Sequence, residues 1–408
     1  MRVVIAPDSF KGSLTSVEVA SALARGWLEA RPDDDVQLAP LADGGEGTLV
    51  AIAAAGGWEW RTTDATDPIG RPVTARWLCT ADGRHAVVEL AEASGLSRLA
   101  ATERDPIGAT TRGTGDVIRA VLDDGIRAIT LGIGGSATTD GGAGILRALG
   151  AVIDGARTDL AGLDARLAEV DLRIACDVTN PLLGPRGAAA TYGSQKGASP
   201  AQVAELDAAL ERYADAMLAA TGRDERDMPG AGAAGGTSFG LLSIGARFHS
   251  IGLVPGVEVV MEETGLREKV AGADFVLTGE GRIDAQTAFG KTALGVAKLA
   301  REAGVACIAV GGGVEPEGEA ALWEVGAIAV DVSEAPTSLE AAIAAGTAPI
   351  ERCGRRLARL VSAGRTLGGG RSPESQPPAR RSSSAGRSGA SRTRSSPGAS
   401  ASIERARG

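Results

Sequence analysis

Histidine and aromatic side chains are nearly missing from this sequence: two His, five Phe, five Trp and two Tyr among 408 residues. So few rings leave little from which to build a base-stacking nucleic-acid platform. His85 and His249 have no metal-spaced partners, and Cys79, Cys176, Cys307 and Cys353 lie far apart with no CxxC pair. That excludes a zinc framework, and an even cysteine count alone does not imply disulfides. No apolar run reaches membrane-spanning length, and the opening Met1–Phe10 turns polar at Asp8. Neither a signal peptide nor a membrane span is predicted, and a cytoplasmic protein is expected. Positive charge is scarce over most of the chain. The net charge is −9, yet from Gly368 to Gly408 eight arginines against two glutamates give +6, leaving −15 on residues 1–367. An acidic body repels nucleic acid and anionic membrane, so an anionic substrate must be held by local positive groups.

What the sequence has in excess is glycine, 58 residues or about twice the usual ~7%. The length suggests two or three domains. Short β-rich runs alternate with alanine-rich amphipathic stretches, which implies a parallel sheet with helices on its faces. Val3–Ala6 reads as a buried strand. Thr15 with Glu18 three residues on forms a capping box for a helix to about Ala30. Between Thr62 and Leu90 the character changes to antiparallel strands, including Val73–Cys79 and His85–Leu90. Parallel-type strands are expected again at Ala128–Ile133, Leu172–Cys176, Asp274–Leu277, Ala306–Val310 and Ala327–Val330, with a final helix over Ser338–Leu360. From Gly368 the Ser, Arg, Gly and Pro richness cannot support a core and predicts a disordered basic tail.

In open α/β sheets, ligands bind beyond the carboxyl ends of the strands. After the first strand come Asp8, Ser9, Lys11 and Ser13, a carboxylate, hydroxyls and a cation just ahead of a helix. Asp43-Gly44-Gly45-Glu46-Gly47-Thr48 offers two carboxylates separated by glycine, a set that suits Mg²⁺. Gly134-Gly135-Ser136-Ala137-Thr138-Thr139-Asp140 sits between a strand and a helix, where bare N–H groups and hydroxyls can cradle an anion. Asp177 and Asn180 follow another strand, and Gly193-Ser194-Gln195-Lys196-Gly197 reads as a polar turn. Gly230–Gly235 matches GxGxxG, but the charged stretch before it is no strand, so the dinucleotide-fold context is missing. Ala285–Thr292 resembles a P-loop, displaced from the end of its strand; it leaves Lys291 as a phosphate ligand and Glu280 or Asp284 as a metal or catalytic carboxylate. Carboxylates for Mg²⁺, lysines for phosphate and glycine-rich cradles are what phosphoryl transfer requires, since its catalysis is mostly positioning and charge neutralisation. The residues alone therefore point to an ATP-dependent small-molecule kinase.

The blocks Ala6–Ser13, Ala42–Thr48, Gly134–Gly142, Cys176–Gly184 and Leu277–Asp284 also resemble the type I glycerate kinase family, in order, from Met1 to about Leu360. The resemblance implies ATP- and Mg²⁺-dependent phosphorylation of D-glycerate to 2-phosphoglycerate, with 3-phosphoglycerate as the alternative product. It implies an α/β fold of two domains with the site in the cleft between them. One is flavodoxin-like and discontinuous, residues 1–65 plus 260–367; the inserted second domain covers 66–259. Within that reading Lys11 and Lys291 neutralise phosphate, while Asp43, Glu46 or Glu280 hold the metal. Asp8 or Asp177 accepts the hydroxyl proton. Ser9, Ser13, Ser136, Thr138, Asn180 and the Gly134 and Gly135 N–H groups bind substrate or phosphate, and Arg282 clamps a carboxylate. Neither nucleic acid nor membrane is an expected partner, and monomer and homodimer both stay open. A P-loop NTPase and a non-catalytic sugar-acid-binding protein are the competing classes.

Overall fold

A computed structural model describes residues 1–10, 12–154, 157–287, 292–335 and 338–369. Its strands, in chain order, begin with β1 (Arg2–Pro7), β2 (Asp35–Leu38), β3 (Trp58–Thr66), β4 (Pro72–Thr80), β5 (His85–Glu89) and β6 (Ala128–Gly132). They continue with β7 (Val152–Asp154), β8 (Arg157–Asp159), β9 (Asp171–Ala175), β10 (Ser250–Val254), β11 (Phe275–Glu280), β12 (Ala306–Gly311) and β13 (Ile328–Asp331). Two main sheets result. The first has the order β13-β12-β11-β1-β2 and is parallel throughout. Read from the other edge this is the flavodoxin order 2-1-3-4-5, whose switch point lies between the first and third strands, here β1 and β11. The second has the order β10-β9-β6-β5-β4-β3; β10, β9, β6 and β5 run parallel, and the β3–β4–β5 meander is antiparallel. A β7–β8 hairpin stands apart.

Parallel strands covered on both faces carry continuous apolar runs, and Val3, Val4, Ile5 and Ala6 of β1 are fully buried. One face of the first sheet packs Val3 and Ile5 against Leu23 and Trp27 of helix Ser16–Ala30 and Ile350 and Leu357 of helix Ala348–Gly369. The other face packs Val4 and Ala6 with Ile52, Val270 and Val296, and this core continues into Leu78 and Val87 of the second sheet. The two sheets thus share apolar surface. Residues Met1–Ser362 form one compact unit. The unit that begins at Ala363 is described only to Gly369, so nearly all of the expected tail lies outside the described residues.

The expected capping box is present: Glu18 N–H donates to Thr15 Oγ1 at 3.2 Å, and Thr15 N–H to the Glu18 carboxylate at 2.8 Å. Three expectations change. The whole of β3 pairs with β4, so the passage into the second sheet precedes Trp58 and not residue 65. β10, not foreseen from the sequence, pairs in parallel with β9. The single helix expected over Ser338–Leu360 is two, Leu339–Ala344 and Ala348–Gly369, because Gly346 takes φ +58° between them and left-handed backbone cannot continue an α-helix.

Candidate functional site

The carboxyl ends of both sheets converge on one cleft of about 430 Å³. The first sheet contributes Ser9 after β1 and Asp43 and Glu46 after β2. The second contributes Gly134, Gly135 and Ser136 after β6 and Cys176 and Asp177 after β9. Backbone meets backbone where the loops cross. Gly134 N–H donates to Gly44 O at 3.2 Å, and a Cβ at Gly134 would overlap the Gly45 Cα. Gly44 has φ +79°, and a Cβ there would lie 2.9 Å from the Ala175 Cβ. Glycine is required on both sides of this crossing, which accounts for part of the compositional excess.

At the switch point of the first sheet, Pro7 pairs with Gly279, which sets Asp8 beside Glu280 at the ends of β1 and β11. Asp8 accepts from the Ser9 N–H at 2.6 Å and the Thr292 hydroxyl at 2.8 Å. Glu280 is buried and accepts from Thr287 Oγ1 at 2.8 Å. The strand therefore extends past Thr278, and Ile283 then bridges to Val314, so Ala285–Thr292 does not open directly from a strand as a P-loop does. Lys11 and Lys291 lie outside the described residues.

Asp177 accepts the Gly256 N–H at 2.7 Å and so ties the loop after β9 to the start of helix Gly256–Glu263. Ser13 donates to Phe10 O at 2.8 Å, a local turn. Thr138 is fully buried, its hydroxyl unpaired and its carbonyl turned to a lysine described below. Asn180 accepts from Tyr192 Oη at 3.5 Å and its carbonyl receives the Gly232 N–H, so it ties loops together. Arg282 is 69% exposed and its guanidinium is paired with Glu315. It is not among the described residues lining the cleft. Ala233 and Ala234 from the GxGxxG stretch do line it. Ala234 has φ +51°, the one left-handed non-glycine among the described residues, as the stretch bends against the glycine loop: Gly141 N–H donates to Gly235 O at 3.0 Å.

Two buried charged residues, Lys196 in the cleft and Glu89 beneath the loop after β2, were not among the expected site residues. Lys196 is 2% exposed, lines the cleft, and donates from Nζ to Ser136 Oγ at 2.9 Å and Thr138 O at 2.6 Å. Burial pushes its pKa down to about 7, with Asp140 pulling weakly the other way. Glu89, at the end of β5, accepts the Gly47 and Leu49 N–H groups, both at 3.1 Å, at the start of helix Thr48–Ala54. Burial raises its pKa to about 7 against those two hydrogen bonds, and Glu92 and Glu46 add to the rise. Lys196 sits in a glycine-flanked turn that carries no periodic signal. Glu89 was missed because β5 was read only as half of an antiparallel pair; its other neighbour, β6, is parallel, and its end meets the start of helix Thr48–Ala54.

A family model described as the glycerate kinase family matches residues 3–362. A glycerate kinase of Halalkalibacterium halodurans is 41% identical over 378 residues, covering 88% of this chain and 98% of that one. The glycerate 2-kinase of Escherichia coli K12 is 44% identical over 319 residues, covering 74% of this chain and 82% of that one. A crystal structure of a protein described as glycerate kinase 2 from Salmonella typhimurium LT2 aligns with TM-score 0.77 at 40% identity, covering 90% of this chain and all of that one.

Proposed function

The chain belongs to the glycerate kinase family, and from that premise we propose that it transfers the γ-phosphoryl group of ATP to the 2-hydroxyl of D-glycerate. The products are 2-phospho-D-glycerate and ADP. The observation that carries this reading is the cleft, where loops from the carboxyl ends of two sheets bring Ser9, Asp43, Glu46, Ser136 and Asp177 to one cavity. The name of the Escherichia coli relative favours the 2-position over the 3-position.

Magnesium fits the donor set. Asp43 and Glu46 line the same cleft, and no cluster of three His, Cys, Asp or Glu among the described residues forms an all-protein cage. Mg²⁺ needs none, since one or two carboxylates, water and nucleotide phosphates complete its shell. Asp43 and Glu46 would hold it, with Glu280 as the alternative from the switch point; when bound it neutralises charge on the phosphate oxygens. Asp177 accepts the glycerate hydroxyl proton, whereas Asp8 orients Ser9 and Thr292 through the bonds its two oxygens already make. The Gly135 N–H group and Ser9 position the phosphate, because the Gly134 N–H is already given to the Gly44 carbonyl. A carboxylate clamp by Arg282 requires its pair with Glu315 to break. Lys11 and Lys291 complete the proposal as phosphate cations on sequence grounds alone. No helix among the described residues is long and apolar enough to cross a membrane.

The test is ADP release with D-glycerate and ATP, with NMR assignment of the phosphorylated carbon. Turnover giving the 2-phosphate is expected. ATP hydrolysis without an acceptor would instead identify an NTPase, and glycerate binding without turnover a sugar-acid-binding protein.

A further inference from the structure

We propose that Lys196 and Ser136 together form the carboxylate-binding fork of the acid substrate, an inference that rests on the glycerate reading above. An ammonium carries three donors. Two of those on Lys196 go to Ser136 Oγ and Thr138 O, both uncharged. No acid lies within ion-pair reach of Lys196 among the described residues, and Asp140 acts on it only through space. A buried cation without an anion is costly, and such a site is satisfied by an anionic ligand. The third N–H belongs to a side chain that lines the cleft.

Ser136 completes the argument. Its oxygen accepts from Lys196, and its own hydroxyl hydrogen is given to no other described residue. One N⁺–H and one O–H from adjacent atoms match the two oxygens of a single carboxylate. A phosphate chain, with more oxygens and a metal to satisfy, calls for a larger donor set than this pair supplies.

Lys196→Met removes the charge at similar volume. The expected result is a KM for D-glycerate raised about 100-fold or more, since truncating one partner of a buried charged pair is among the costliest interface changes. The KM for ATP stays within about twofold, and Ser136→Ala raises the glycerate KM by about tenfold. A rise confined to the ATP KM would assign Lys196 to phosphate and overturn the proposal, as would an unchanged glycerate KM in a folded variant.

Two further measurements separate substrate binding from mere support of the loop. Wild-type enzyme is expected to reject glycerol, which lacks the carboxylate, and Lys196→Met to lose most of that preference. Calorimetric titration with D-glycerate without ATP is expected to weaken above about pH 7, where the depressed lysine loses its proton. Among the described residues the ionisable groups around it are Asp140, Arg104 packed on its turn and, across the cleft, Asp43, Glu46, Asp177, Cys176 and Tyr192. In Lys196→Met the affinity is expected to be low and flat with pH; a wild-type pH dependence that survives intact in the variant refutes the assignment. Turnover of D-glycerate by the wild type tests the function itself, so the two failures are distinguishable.

Discussion

Replacing Glu89 with glutamine isolates one titration at the seam between the sheets. The carboxylate is 4% exposed and its pKa stands at about 7 where an ordinary glutamate has 4.5. The folded protein therefore holds a proton between pH 4.5 and 7 that the unfolded chain has released. The contribution is fully present below pH 4.5 and is lost as pH rises through 7. Integrating that difference gives a loss of about 2–3 kcal/mol in unfolding free energy between pH 5 and pH 8. Glu89→Gln cannot release a proton. It keeps one acceptor for the Gly47 or Leu49 N–H and forfeits the other, at a pH-independent cost of about 1–2 kcal/mol. Denaturant unfolding of both proteins from pH 5 to pH 8 should show the variant gaining about 2–3 kcal/mol on the wild type across the range. The slope against denaturant should not change. A difference between the two proteins that is constant with pH would refute the reasoning, because it would mean that Glu89 titrates alike in the folded and unfolded states.

Gly134→Ala places a methyl group against the Gly45 backbone, whose nitrogen would lie 3.1 Å from it. About 1–3 kcal/mol of stability should be lost by thermal unfolding. About 10²-fold should be lost in kcat/KM, since the shift falls on loops that line the cleft; wild-type kinetics would contradict the close crossing. Asp177→Asn keeps an acceptor for the Gly256 N–H but cannot take a proton, so kcat should fall about 10²–10⁴-fold with the melting temperature little changed. An undiminished kcat would move the base elsewhere. Burial raises all four thiol pKa values, so iodoacetamide at neutral pH should label the native protein slowly and the denatured chain at all four cysteines; rapid native labelling of Cys176 would contradict its desolvation.

Much of this site was legible because it lies at strand ends. Val3–Ala6 is apolar without interruption, so the strand and the polar loop after it could be read directly, and so could the loops after β6 and β9. Legibility failed where a residue's importance depends on what another part of the chain brings to it. Nothing near Lys196 in sequence says that Ser136 and Thr138, some 60 residues earlier, will enclose it. Glu89 looks like the end of a hairpin strand until Gly47 and Leu49 arrive from the other sheet. Arg282 is the converse case: a conspicuous cation in a conspicuous loop is paired with Glu315, a contact that nothing in the sequence around it announces. β10 escaped notice because Ser250–Val254 is short and only half buried.

The order of strands in the first sheet also has a consequence for how the protein is made. β1 leaves the ribosome before every other strand described above, yet one of its two neighbours, β11, begins at Phe275. At ordinary synthesis rates the gap lasts on the order of tens of seconds. The second sheet, contiguous from Trp58 to Val254, can close meanwhile. Throughout that interval Val3, Val4 and Ile5 form a nascent apolar edge bounded only by β2. An arrested or truncated chain ending before Phe275 should therefore be a substrate for chaperones even though most of its length has already folded.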